Sequence, residues 1–68
     1  MNYFAVNLKI LRKEKNLSQP DLAKELNVSK AIISFWENDI YEPTATHIIK
    51  VAKFFDVSID DLLLTALF

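Results

Sequence analysis

Ser18 and Ser29 constrain this chain more than any other residues. Each precedes a short segment with an apolar stripe at helical spacing, and each can cap the helix that follows. Leu22, Ala23 and Leu26 form the first stripe; Ile33 and Trp36 form the second. Only Asn27-Val28 lies between the two segments, too short for anything but a sharp angle, with Val28 apolar enough to plug the corner. Residues 19–38 are therefore expected to form two short helices joined by a tight turn.

Five helices and no strands account for the whole pattern. The first runs from about Ala5 to Lys15, with Leu8 and Leu11 inward. The second runs from about Gln19 to Leu26, with Pro20 in its first turn, where a missing N–H costs little. Asp21 lies three residues after Ser18, close to a capping box and favourable to the helix dipole. The third runs from about Lys30 to Asn38, and Glu42-Pro43 then breaks the chain. Thr44 caps a fourth, about Ala45 to Phe55, with Ile48, Val51, Ala52 and Phe55 inside. Ser58 with Asp61 repeats the cap signature, so a fifth helix starts at Ile59 with Leu62 and Leu63 inside.

The chain contains no glycine, although helices commonly end on a left-handed residue that is usually glycine. Asn and Asp tolerate that conformation next best. Asn16, Asn27, Asp39 and Asp56 stand just after the expected ends of the first four helices and are read as the substitutes.

At 68 residues the chain has room for one domain of modest stability, burying roughly 60% of its unfolded surface. Without Cys there is no disulfide, thiolate nucleophile or Cys-ligated metal, which fits a reducing cytoplasm. No apolar run approaches the roughly 20 residues that span a bilayer, and the N-terminus lacks the pattern of a signal peptide. His47 is the lone His, a partly exposed polar residue, so no usual metal site is expected. Ser18, Ser29, Ser34 and Ser58 have no base at useful spacing for nucleophilic catalysis. Asp60 and Asp61 sit at a helix start, where acid is favoured. No enzyme and no cofactor is expected. The net charge is −1, but Lys9, Arg12, Lys13 and Lys15 against Glu14 make the first 17 residues basic, while the remainder is acidic. The basic end is a candidate phosphate-facing surface, or simply a solvated helix face.

The two-helix segment has the geometry of a helix-turn-helix, whose second helix enters a DNA major groove. Leu17-Ser18-Gln19, Leu22-Ala23, Val28-Ser29, Ile33-Ser34, Trp36-Glu37-Asn38, Pro43, Val51-Ala52, Val57-Ser58 and Asp61-Leu62-Leu63 resemble, in that order, the phage-repressor and Cro-like (XRE) helix-turn-helix family. The match runs from about Asn7 to Leu64. It implies an all-α, five-helix, lambda-repressor-like domain that binds double-stranded operator DNA, usually as a homodimer, in a bacterial or phage context. By this resemblance Gln19 would contact a phosphate and brace the recognition helix. Ser29, Lys30 and Ala31 would face base edges, Ser34 and Phe35 would lie near the groove wall, and Asn38 would offer its amide to a phosphate. Arg12 and Glu37 match a structural ion pair. Physical chemistry agrees in part: Lys30 can reach guanine N7 and O6, and Ala31 can touch a thymine methyl. Lys9, Lys13 and Lys15 can contact the DNA backbone, which positions without reading sequence.

The chain also departs from the family. Position 35 is usually polar or basic and here is Phe35; the segment after the third helix is usually basic and here is Ile40-Tyr41. Phe35 could pack on thymine methyls or serve a protein partner. Trp36 shares a face with Ile32 and Ile33 and reads as core. Ile40, Tyr41, Phe54, Leu64, Leu67 and Phe68 add more apolar surface than the domain can bury, which points to a dimer interface built from the fifth helix and the loop before the fourth. The resulting expectation is a DNA-binding transcriptional regulator, a repressor acting as a homodimer. The alternative is an interaction module with weak DNA affinity, and an antitoxin that binds both operator and toxin lies between the two. A toxin or antirepressor protein is the partner class for those readings.

Overall fold

The computed structural model describes residues 2–67. They form five helices: α1 (Phe4–Glu14), α2 (Gln19–Leu26), α3 (Lys30–Glu37), α4 (Ala45–Phe55) and α5 (Ile59–Leu64). No strand occurs among the described residues. α2 and α4 occupy the expected ranges, α5 begins where expected, and α1 starts one residue earlier, at Phe4.

Each of the last four helices opens on the expected cap. The side chains of Ser18, Ser29, Thr44 and Ser58 accept from the backbone N–H groups of Asp21, Ile32, His47 and Asp61, which satisfies donors that no intrahelical carbonyl can reach. At α2 the capping box is complete, because Ser18 N–H also donates to Asp21 Oδ2 at 3.1 Å. That backbone bond, followed by the Ser18 hydroxyl, holds the Asp21 carboxyl below its ordinary value.

The helix ends repeat a single device. Asn16, Asn27, Asp39 and Asp56 have φ of 57°, 58°, 59° and 55° and are the positive-φ residues of the described chain. Each donates its N–H to the carbonyl three residues back, and the next residue donates to the carbonyl five back. The second set is Leu17 to Arg12, Val28 to Ala23, Ile40 to Phe35 and Val57 to Ala52, at 2.8–3.1 Å. This is the Schellman closure, made four times without glycine.

The core draws on every helix. Leu8, Leu22, Ile33, Val51 and Leu62 are fully buried, with Phe4, Leu26, Trp36 and Phe55 nearly so. The Phe4 and Trp36 rings meet edge to face, centroids 5.9 Å apart, as ring quadrupoles prefer. Leu17, Val28 and Val57, the residues that follow three of the closures, pack against this core.

Two buried polar residues on α1 hold the helices in register. Arg12 Nε and Nη2 donate to Glu37 Oε2 and Oε1 at 2.6 and 3.0 Å, and Nη1 donates to the Leu17 carbonyl at 2.8 Å. Asn7 is fully buried. Its amide donates to the carbonyls of Asp61, Leu62 and Thr65, the last at 2.7 Å, and its Oδ1 accepts from Leu67 N–H at 3.0 Å. The chain after α5 is thereby laid back onto α1.

Candidate nucleic-acid interface

Trp36 and Ile33 point α3 into the core, and the Arg12–Glu37 pair fixes its C-terminal end to α1. The side chains of that pair are 10% and 3% exposed, so the contact is shielded from water and bidentate, the strong form of an ion pair. Glu37, through its hydrogen bond first, raises the Arg12 guanidinium above its ordinary value despite burial. Gln19 Nε2 joins the cluster by donating to Glu37 Oε1 at 3.1 Å. That bond ties α2 to α3 through the same carboxylate.

With the inner face so fixed, α3 presents the opposite arc to solvent. Ser29, Lys30, Ala31 and Asn38 are exposed, and Ser34 and Phe35 are half-buried. Lys30, Ala31, Ser34 and Phe35 thus lie along α3, with Ser29 and Asn38 at its two caps. Asn38 does not point its amide away from the helix: Nδ2 donates to the Ser34 carbonyl at 2.8 Å and lies 3.4 Å from Ser34 Oγ. A phosphate contact from that amide would use the N–H not given to the Ser34 carbonyl. Phe35 packs edge to face on Tyr41, centroids 5.0 Å apart.

Lys9 and Lys13 on α1 and Lys15 just past its end are all exposed, and the Lys15 ammonium also stands over the Phe54 ring, 5.6 Å from its centroid, a cation–π contact. Lys50, on α4, donates to the Leu26 carbonyl at 2.8 Å and so satisfies the end of α2.

The surface expected to form a dimer is also split. Ile40, Tyr41 and Leu64 are exposed, at 60%, 56% and 68%. Phe54 instead is half-buried against the core and packs edge to face on Phe55, and Leu67 is half-buried and tied to Asn7. Phe68 lies outside the described residues. The sequence reading missed Asn7, although an Asn between Phe4 and Leu11 at helical spacing is a signal that a polar group faces the core. It also missed a cleft of about 260 Å³ beside α3, lined by Val28, Ile32, Trp36, Tyr41, Glu42, Pro43, Thr44 and His47. In that cleft the His47 ring lies 5.2 Å from Trp36, with Nδ1 3.0 Å from Thr44 Oγ1. Among the described residues no cluster of His, Asp or Glu side chains could hold a metal ion, and no helix is long and apolar enough to cross a membrane.

A short capped helix, braced from behind and exposed along one arc, on a five-helix scaffold, defines a helix-turn-helix protein. The family model described as helix-turn-helix matches residues 8–62, and the chain belongs to that family. The HTH-type transcriptional activator BcrR of Enterococcus faecalis is 43% identical over 60 residues, which cover 88% of this chain and 29% of that protein. An uncharacterised HTH-type transcriptional regulator of Methanocaldococcus jannaschii is 46% identical over 55 residues, covering 81% of this chain and 83% of the relative. Among solved structures, the P22 c2 repressor in complex with a synthetic operator aligns with a TM-score of 0.87 and 27% identity, covering 97% of this chain and all of that one. The chain therefore spans less than a third of one relative and most of the other two.

Proposed function

We propose that this protein binds double-stranded DNA sequence-specifically and regulates transcription, most simply as a repressor that occludes promoter sequence. The observation that carries this reading is the exposed arc of α3, with Ser29, Lys30, Ala31, Ser34 and Phe35 outward while Glu37 is locked to Arg12 and Gln19 behind it. α3 docks in the major groove, where Lys30 reads guanine acceptors. Gln19, Asn38, Lys9 and Lys13 contact phosphates and set the register. Two copies pair through surface that includes Ile40, Tyr41 and Leu64, placing their recognition helices about 34 Å apart on an inverted repeat. The acidic balance away from α1 keeps sequence-independent affinity low, so base contacts carry a large share of discrimination.

Selection from a random duplex library at about 100 mM salt tests this reading. An enriched inverted repeat supports a dimeric operator binder, and an enriched single half-site supports a monomer. No enrichment from folded, helical protein would overturn the reading and favour an interaction module or antitoxin whose partner, a toxin or antirepressor, docks on Ile40 and Tyr41. The exposure of those two side chains is the observation that favours this second reading.

A further inference from the structure

The cleft beside α3 has an apolar lining and an unpaired donor. The turn before α3 gives it Val28, α3 gives it Ile32 and Trp36, the loop after α3 gives it Glu42 and Pro43, and the first turn of α4 gives it His47. The His47 ring rests 5.2 Å from Trp36, and its Nδ1 lies 3.0 Å from Thr44 Oγ1, so this part of the lining is held in place by the fold itself. Trp36 is only 3% exposed, yet its indole N–H donates to no acceptor among the described residues. No side-chain nitrogen of those residues is both fully enclosed and unpaired, so the N–H has access to solvent, and the cleft is the opening that Trp36 borders. An apolar pocket with a few polar groups converging on it is the usual form of a small-molecule site.

Size and charge narrow the occupant. At about 260 Å³ the cleft is smaller than the roughly 300–1,000 Å³ of drug-sized sites and larger than the roughly 150 Å³ that takes benzene, which suits one ring with a short substituent. An unpaired donor beside apolar side chains is a cost that a ligand acceptor removes. Glu42 is exposed and pairs with no cation among the described residues, so an anion in the cleft would meet an uncompensated like charge. We propose that this cleft binds a small uncharged aromatic molecule whose acceptor receives the Trp36 N–H, and that Glu42 disfavours anionic analogues. Such a molecule bridges α3, the loop after it and α4. The site goes beyond the DNA-binding reading and does not depend on it.

Trp36 is the single tryptophan, so isotope-labelled protein gives one indole N–H signal, which reports on the cleft directly. Acetophenone is the probe. It should move that signal saturably, with half-saturation at about 1 mM or below, and the amide signals of Ile32 and His47 should move with it. Benzoate, of matching size but anionic, should bind severalfold more weakly. Glu42→Gln, at an exposed position, should narrow that gap by up to about fivefold, the effect of one charge a few ångströms away in water. Ile32→Phe, checked for native helicity, fills the cleft and should abolish the response. Tyr41 also lines the cleft but belongs to the surface proposed for pairing, so no variant is placed there. A shift that stays linear to ten times that concentration would overturn the site. Saturable binding that leaves the indole signal unmoved would overturn the acceptor contact. A response retained by Ile32→Phe would overturn its place in this cleft. Equal binding of the two probes, or a gap unchanged in Glu42→Gln, would overturn the role of Glu42. A failed DNA selection would leave each of these results standing.

Discussion

Four helices of this protein end in the same hydrogen-bonded closure, but the residue after each closure meets two different fates. After α1, α2 and α4 the chain turns Leu17, Val28 and Val57 inward onto the core. After α3 it leaves Ile40 60% exposed. An apolar contact just past the closure frequently accompanies this motif, so the end of α3 is the departure. What holds it is polar: Glu37 reaches back to Arg12 and Gln19. α3 is thus anchored from behind by a shielded ion pair, and Ile40 and Tyr41, past its end, remain on the surface.

The contrast can be broken most severely at the ion pair. Glu37→Ala strands the Arg12 guanidinium in a nearly closed site and should cost about 3–5 kcal/mol, read as a large fall in denaturation midpoint with α3 amides losing exchange protection first. Asn7→Ala removes the polar anchor at the opposite end of α1. It frees the carbonyls of Asp61, Leu62 and Thr65 and should cost about 2–3 kcal/mol, with α5 and the segment after it loosening while α3 stays protected. Truncation of the plugs comes next. Leu17→Ala should destabilise by about 2 kcal/mol, whereas Ile40→Ala should stay within about 0.5 kcal/mol; equal losses in a chemical denaturation series would erase the distinction between the two kinds of end. The smallest effect is expected at the left-handed residues. Asn27→Gly or Asp56→Gly should leave the melting temperature unchanged or raise it by a few degrees, since glycine pays no steric cost at positive φ; a clear fall would show that the side chain itself stabilises the turn.

How much of this was legible in the sequence depended on whether a residue's partner was local. Caps and closures were readable because Ser18, Ser29, Thr44 and Ser58 bond within three residues of themselves, and because Asn16, Asn27, Asp39 and Asp56 had no glycine to compete with. The Arg12–Glu37 pair came only from the family resemblance, since nothing in the chain links positions that far apart. Asn7 escaped notice because its partners are backbone carbonyls and an N–H on α5 and beyond, and every residue offers those. Phe54 looked like free apolar surface for a similar reason: periodicity places a residue on a helix face but does not say that Lys15 and Phe55 will cover it. That Lys30, Ala31, Ser34 and Phe35 face away from Ile33 and Trp36 follows from helix spacing, while the Asn38 amide folded onto Ser34 and the Phe35–Tyr41 ring contact depend on rotamers and loop course that no spacing rule contains.

The central claim is that α3, braced by Glu37, is the surface that meets DNA. Titration of isotope-labelled protein with the selected duplex, followed by amide chemical shifts, tests it most directly. The account predicts the largest changes at Ser29, Lys30, Ala31, Ser34 and Phe35, smaller ones at Gln19, Lys9 and Lys13, and none at the buried Asn7 clamp. Changes confined to α5 and the segment after it, with α3 silent, would contradict it.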